Sequence, residues 1–109
     1  MTDLHRLKDA LSQIQGREAV ESHLRQVLAP LSSYDQNRGT DLVHTLITFV
    51  QFRGSIKTTA DKLFLHRNSV SYRLQRIEEV CDFNIKEPAT QRLLATALSL
   101  ANPKLLDEF

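Results

Sequence analysis

The sequence SIKTTADKLFLHRNSVSYRLQRI, residues 55–77, contains two short helical patterns separated by a tight break. Thr58 and Asp61 match a capping box, so the first helix is predicted to begin near residue 58. Its apolar residues are expected to face inward, and these are Ala60, Leu63 and Phe64. The second pattern begins at Arg67 and is predicted to continue as a helix to about residue 80. Together the two patterns decide the fold of the surrounding chain.

The second predicted helix has one apolar side and one polar side. Its apolar stripe has spacings of four, three and four residues, and it consists of Val70, Leu74, Ile77 and Cys81. At about 100° per residue, Asn68, Tyr72 and Gln75 point away from this stripe. The residues on the slopes beside them are Ser69, Ser71 and Arg76. One side is thus expected to pack on its own domain, and the other is free to enter a DNA groove about 12 Å wide.

Positive charge is concentrated on these two helices. Residues 53–76 hold six Lys or Arg and one Asp, a net charge of +5, whereas the remaining residues hold eight cations and twelve anions, a net charge of −4. The overall net charge of +1 hides this separation. A local basic face indicates contact with phosphates. The alternative interpretation is a solvated run of charge without a ligand.

The remaining sequence predicts further helices on both sides. A first helix over residues 3–15 is marked by the apolar residues Leu4, Leu7, Leu11 and Ile14. A second helix over residues 17–28 is expected to end at Pro30. Residues 31–39 mix Ser, Asp, Asn and Gly, which predicts a short helical turn followed by a loop or linker and a candidate domain boundary.

Downstream of this boundary, Thr40 and Asp41 can cap the most apolar helix of the chain, predicted over residues 41–53. A last helix is predicted over residues 88–101, because Pro88 suits a first helical turn. The tail, residues 104–109, is expected to fray.

The predicted fold is therefore all-α, with a trihelical helix-turn-helix core and additional flanking helices. The three core helices are predicted at residues 41–53, 58–65 and 67–80. The predicted domains are residues 1–39 as an N-terminal helical segment, residues 40–103 as a helix-turn-helix DNA-binding domain and residues 104–109 as a tail. The first segment is interpreted as the end of a preceding domain or as a linker or dimerisation region.

Composition argues against several other classes of protein. The only cysteine, Cys81, lies on the inward stripe, so it is interpreted as a small buried hydrophobe. No apolar run approaches the roughly 18 residues that would cross a bilayer, and the N-terminal residues lack the apolar region of a signal peptide. A cytoplasmic protein without a membrane partner is expected.

No catalytic, metal or cofactor site is predicted. The four histidines lie on different predicted elements, and none is at ligand spacing from Cys, Asp or Glu. Three glycines cannot form a phosphate-binding loop, and no serine has a nucleophile-elbow sequence. Glu78 and Glu79 are adjacent and point about 100° apart, which makes them a poor pair for acid–base catalysis.

The candidate DNA contacts fall into two groups. The residues predicted to face bases are Asn68, Ser69, Ser71, Tyr72, Gln75 and Arg76. The residues predicted to contact phosphates are Lys57, Thr58, Lys62, Arg67 and Arg73. Two alternatives remain open: Asn68 can cap its helix instead of reading a base, and Tyr72 can cover a neighbouring helix.

The run ADKLFLHRNSVSYRLQRIEE, residues 60–79, resembles the C-terminal helix-turn-helix domain of the purine-catabolism regulator (PucR) and sugar-diacid regulator family of bacterial transcription factors. The resemblance extends over residues 28–100. It implies the DNA-binding end of a longer polypeptide, whose effector metabolite is bound by regions absent from this chain. Ser71 lies where family members often carry a basic residue. The turn has Phe64 and Leu65 where many helix-turn-helix motifs have glycine.

The predicted function is sequence-specific binding of double-stranded DNA in the major groove. A single module of this kind buries roughly 600 to 1,000 Å², so a homodimer on a two-fold-related site is expected. Two alternatives are a helical protein–protein interaction module and a nucleoid-type protein that binds DNA without sequence specificity.

Overall fold

A computed structural model describes residues 3–12 and 16–109, and its regular structure is entirely helical in these ranges. The α-helices are α1 (Asp3–Ser12), α2 (Arg17–Arg38), α3 (Leu42–Gln51), α4 (Ile56–Leu63), α5 (Arg67–Cys81) and α6 (Pro88–Leu100). A C-terminal 3₁₀ helix follows (Pro103–Glu108). The prediction of an all-α fold with a trihelical core and flanking helices is confirmed. The helix predicted over residues 3–15 is present as α1, and its predicted last residues, 13–15, lie outside the described residues.

The core is built around α3. Eight of its ten residues are buried, because its apolar stripe is broad enough to meet helices on several sides. α5 contributes three fully buried residues of the predicted stripe, and these are Val70, Leu74 and Ile77. α2 packs against α3, α5 and α6, which adds its own apolar residues to the same cluster. Cys81, the last residue of the stripe, is half-buried and packs against this cluster.

The turn between α4 and α5 is made by Phe64, which adopts the left-handed conformation with φ of 56°. The Leu65 N–H donates to the Ala60 carbonyl at 2.9 Å, and the Phe64 N–H donates to the Asp61 carbonyl at 3.4 Å. These two bonds form a Schellman motif. The inward position predicted for Phe64 is wrong, since its side chain is 94% exposed. The turn directs Phe64 outward, and Leu65 packs against the core in its place.

The predicted start of α4 is also wrong. The helix begins at Ile56, and its cap is Ser55, whose Oγ accepts a bond from the Thr58 N–H at 3.1 Å. The Ser55 hydroxyl also bonds to the Thr58 hydroxyl at 3.0 Å. Thr58 therefore lies in the first turn of α4 and does not cap it. Serine and threonine are both suitable N-cap residues, so the sequence offers Ser55 and Thr58 as alternative caps for α4.

The cap of α3 comes from another helix. Asp35 on α2 accepts bonds from the Leu42 N–H at 2.8 Å and the Val43 N–H at 2.9 Å. Its carboxylate also accepts a bond from the Thr40 hydroxyl. The predicted caps, Thr40 and Asp41, are wrong, because Asp41 occupies the N-cap position without a capping bond from its side chain. A carboxylate on α2 thus caps α3 and fixes the connection between the two helices.

α2 continues through Pro30 to Arg38, so the predicted helix end at Pro30 and the predicted loop over residues 31–39 are wrong. Proline removes one helical hydrogen bond, but Pro30 lies on the exposed side of α2. On the other side, Leu28 and Leu31 are fully buried. Burying these leucines offsets the cost of the missing bond. The division of the chain into domains stays a prediction.

The C-terminal residues are folded back onto α2, so the prediction of a frayed tail is wrong. Leu105 is buried, and the Arg25 Nε donates to Glu108 Oε2 at 3.0 Å. Glu21 accepts a bond from the Asn102 N–H at 2.8 Å.

None of the helices in the described ranges combines the length and hydropathy that crossing a bilayer requires.

Candidate nucleic-acid interface

The first turn of α5 is capped by a residue that lies just before it. His66 Nδ1 accepts a bond from the Asn68 N–H at 3.0 Å, and His66 has the extended backbone of an N-cap residue. This bond uses a lone pair on Nδ1. Asn68 does not cap α5, and its side chain is exposed. The alternative that Asn68 serves as the cap is therefore wrong.

The residues predicted to face bases lie on the side of α5 that the core leaves uncovered. Asn68, Ser69, Tyr72 and Gln75 are exposed, and Ser71 and Arg76 are half-buried. Tyr72 is 61% exposed, so it does not lie beneath a neighbouring helix. A polar, exposed face opposite a buried apolar stripe is the shape that a helix needs to enter a major groove.

Part of this face borders a groove of about 590 Å³ between α5 and the α2–α3 connection. The side of the groove formed by α5 consists of Asn68, Ser69, Tyr72, Arg73 and Arg76, and Tyr34, Thr40 and Asp41 lie on the opposite side. The groove thus brings five of the predicted contact residues together. Ser71 and Gln75 do not line it.

Arg76 is held by two residues of its own helix. Its Nη1 donates to Glu79 Oε2 at 3.0 Å, and its Nη2 donates to the Tyr72 hydroxyl at 3.0 Å. Its guanidinium carbon lies 5.6 Å from the centre of the Tyr72 ring, a distance suited to a cation–π contact. The hydrogen bond that Arg76 donates to the Tyr72 hydroxyl, together with the nearby Tyr34 and Glu79, raises the pKa of Arg76.

Arg73 is anchored differently, toward the core. Its Nη1 donates to the hydroxyl of Thr45 at 3.0 Å, and Thr45 is fully buried on α3. This bond joins α5 to the central helix of the fold. Arg73 is half-buried, and its phosphate contact stays a prediction.

The other predicted phosphate contacts lie on α4 and at the start of α5. Lys57, Lys62 and Arg67 are exposed, whereas Thr58 is half-buried beside Ser55. The Lys62 ammonium lies 5.3 Å from the centre of the Phe52 ring. Within the part of the chain that the structure describes, Arg67 and Lys57 form no ion pair. These two cations are therefore available to an anionic partner.

Sequence reasoning missed three residues of this surface: His66, Glu79 and Tyr34. The spacing of three residues between Arg76 and Glu79 on one helix could have revealed their ion pair. The cap formed by His66 gave a weaker signal, because histidine is not among the preferred N-cap residues. Tyr34 could not be placed without knowing that α2 continues past Pro30.

Other chemistry has little support in the described residues. They contain no group of three or more His, Cys, Asp or Glu that could hold a metal ion. Burial raises the pKa of the Cys81 thiol to about 12, so this thiol stays protonated and unreactive near neutral pH.

Comparison with known proteins gives a match in the same region. The family model of the PucR C-terminal helix-turn-helix domain matches residues 42–100, which includes α3 to α6. The purine catabolism regulatory protein of Bacillus subtilis is 37% identical over 75 residues, which are 69% of this chain and 13% of that protein. The DNA-binding transcriptional activator AdeR of Bacillus subtilis is 30% identical over 64 residues, which are 59% of this chain and 15% of that protein.

A third relative, the proline-responsive transcriptional activator PutR of Bacillus subtilis, is 27% identical over 94 residues. That alignment covers 86% of this chain and 23% of that protein. The chain therefore spans less than a quarter of the length of each of these three relatives. No solved structure matches the chain.

Proposed function

Because this chain belongs to the family of PucR C-terminal helix-turn-helix domains, we propose that α5 reads the base sequence of duplex DNA for a regulator that responds to a metabolite. Domains of this family bind DNA in transcription regulation, which is not an enzymatic activity. Sequence specificity is our inference from the geometry of α5. The response to a metabolite is supported by a relative that is named as proline-responsive.

The observation that carries the proposal is the uncovered polar face of α5, whose first turn is already capped by His66. Because His66 is the N-cap of α5, the side chain of Asn68 is not needed for capping. Its side-chain amide is free to pair with the N6 and N7 edge of adenine. Arg76 can pair with the O6 and N7 edge of guanine. The remaining base contacts are proposed for Ser69, Ser71, Tyr72 and Gln75.

Phosphate contacts are proposed for the cations around this face. Lys57 and Lys62 project from α4, and Arg67 lies at the start of α5. Thr58 and Arg73 complete the proposed set, with Arg73 also bonded to the core. Contacts of this kind fix the orientation of the protein on the duplex without reading its sequence. The net charge of +5 over residues 53–76 supports attraction to the DNA backbone.

We further propose that two copies of the protein bind together. One helix-turn-helix module buries too little surface for high specificity, and two copies on a two-fold-related site would double the contact. The effector metabolite would bind to regions beyond this chain, since the relatives are several times longer. With chromosomal DNA as the partner in a bacterium, the proposed location is the cytoplasm.

The proposal is tested by selecting bound duplexes from a random-sequence pool and then measuring affinity by fluorescence anisotropy. We expect the selected duplex to bind more tightly than a shuffled duplex of the same composition, and the affinity for both to fall steeply as salt rises. The preference should decrease in Asn68→Ala and Arg76→Ala.

Two outcomes would point to the alternatives. Equal affinity for selected and shuffled duplexes would indicate nucleoid-type binding without specificity. Binding that is absent or insensitive to salt would indicate an interaction module whose partner is another protein. Arg17→Ala, at the exposed start of α2, removes one positive charge away from α5 and serves as the control.

A further inference from the structure

Arg76 differs from the exposed cations of the basic surface. Arg67 and Lys57 form no ion pair within the described residues, so they can move freely toward phosphates. Arg76, in contrast, is bonded through both terminal nitrogens to residues on either side of it along α5. Arg76, the cation proposed to read a base, is thus restrained, whereas Arg67 and Lys57, two of the cations proposed to bind phosphates, are not.

The two bonds to Arg76 fix the plane of its guanidinium. Tyr72 lies four residues before Arg76 and Glu79 lies three residues after it, so the side chain is held along the helix from both ends. Two of the guanidinium's five N–H donors are used, which leaves three for a ligand. A guanidinium that is already oriented loses less side-chain entropy when it pairs with a planar base edge.

Glu79 also affects contacts with phosphates. Its side chain is 53% exposed and lies beside Arg76. Within the described residues, Arg76 is the only proposed base-reading residue that forms an ion pair. A phosphate that approached Arg76 would have to replace Glu79 or remain close to its negative charge. Such an exchange of one anion for another brings little net gain. A guanine edge, which is neutral, can use the free donors without displacing Glu79.

We propose that Tyr72 and Glu79 form a clamp that orients Arg76 for a guanine and disfavours its binding to phosphates. Glu79 is then a positioning residue that determines specificity without touching the DNA. This inference rests on the proposed function, because it requires that α5 enters the major groove of duplex DNA. The discrimination at one base pair then depends on Glu79, a carboxylate of α5 itself.

The test substitutes each base pair of the selected duplex in turn and measures the loss of affinity for the wild type, Arg76→Ala and Glu79→Ala. Arg76→Ala identifies the base pair that Arg76 reads. At this base pair, Glu79→Ala should lower discrimination by about two- to ten-fold, because Arg76 must then be ordered on binding. Discrimination at the other base pairs should stay unchanged. Affinity for the shuffled duplex should rise by about two- to five-fold, since Arg76 becomes available to phosphates.

Two further variants separate orientation from simple charge. Glu79→Gln keeps an acceptor oxygen for Arg76, so its discrimination should stay within about two-fold of the wild type. Glu18→Ala removes one negative charge in the exposed first turn of α2. Glu18 lies roughly 24 Å along that helix from Tyr34, which lines the groove beside Arg76, so this variant should leave discrimination unchanged. In the Arg76→Ala background, Glu79→Ala should have no effect on discrimination at any base pair.

The outcomes distinguish the clamp from the function on which it rests. If the wild type shows no base preference at any position, the proposed function fails. If Arg76→Ala removes a preference that Glu79→Ala leaves intact, the function stands and the clamp is refuted. A loss of discrimination at all positions in Glu79→Ala would assign Glu79 to the stability of α5, which also refutes the clamp.

Discussion

The two helices α3 and α5 pack against each other but differ in how many of their residues are buried. α3 buries eight of its ten residues, whereas α5 buries three of its fifteen. α3 is therefore almost entirely interior, and a substitution there acts mainly on the free energy of unfolding. α5 buries only a narrow stripe and leaves six of its fifteen residues exposed, so substitutions of those six should have little effect on the fold. We therefore expect that stability and the proposed DNA recognition can be altered separately in this protein.

The caps of the two helices differ in the same way. The N-terminus of α3 is capped by Asp35, which lies on α2, and this bond exists only when the chain is folded. The N-terminus of α5 is capped by His66, which lies next to it in the sequence. The cap of α3 thus depends on tertiary structure, whereas the first turn of α5 is organised locally.

The largest effect is expected from Phe49→Ala on α3. Phe49 is 2% exposed, so its removal leaves a cavity in the centre of the core. The free energy of unfolding should fall by about 3–5 kcal/mol, measured by urea denaturation with circular dichroism. Phe52→Ala is the matched control, because Phe52 directly follows α3 and is 37% exposed. Equal losses for the two variants would contradict the assignment of α3 as the centre of the core.

On α5, Asn68→Ala should affect DNA binding without affecting stability. We expect the affinity for the selected duplex to fall by about 1–3 kcal/mol, because an adenine contact is lost. The free energy of unfolding should change by less than about 0.5 kcal/mol, since the side chain is exposed. Asn37→Ala, an exposed asparagine on α2, should leave both quantities unchanged. Unchanged affinity in Asn68→Ala would remove Asn68 from the interface.

The difference between tertiary and local caps is tested by Asp35→Ala. Loss of the two bonds to the Leu42 and Val43 N–H groups should lower the free energy of unfolding by about 1–2 kcal/mol. The control is Asp41→Ala, which removes a carboxylate at the N-cap position that forms no capping bond. Its effect, measured in the same urea titration, should be clearly smaller. A larger loss for Asp41→Ala would show that the cap is formed by Asp41 in solution.

The smallest effect, and one of opposite sign, is expected at the turn before α5. Phe64 has a φ of 56° and is 94% exposed, so its side chain contributes little packing to offset the strained backbone. Phe64→Asn should raise the free energy of unfolding by about 0.5–1 kcal/mol, because asparagine tolerates this conformation. Phe64→Ala lacks the short polar side chain with which asparagine hydrogen-bonds locally in this conformation, so it should give no comparable gain. Equal stabilities of the two variants in thermal unfolding would argue against strain at Phe64.

The sequence predicts α5 well because a buried stripe and an exposed face leave a regular period. Val70, Leu74 and Ile77 are buried as predicted, and the helix ends within one residue of the predicted position. The failures occur where a distant contact or a turn overrides a local preference. Asp35 caps a helix from seven residues away, and buried leucines carry α2 through Pro30. Neither contact can be deduced from local periodicity.

The candidate site follows the same division. The exposure of Asn68, Tyr72 and Gln75 follows from the helical period and is observed. The bonds that restrain Arg73 and Arg76 depend on side-chain rotamers and on the packing of α3 against α5, which the sequence pattern does not specify. The direct contacts of these residues with DNA stay predictions.

The central claim is that the exposed face of α5 is the surface that meets duplex DNA. It is tested most directly by titrating the isotope-labelled protein with the selected duplex and following its backbone amide signals by nuclear magnetic resonance. We expect the largest shifts in residues 67–76 of α5 and in Lys57 and Lys62 on α4, with the signals around Leu4 and Leu93 in the groove between α1 and α6 unchanged. Largest shifts in that α1–α6 groove, with α5 unaffected, would contradict it.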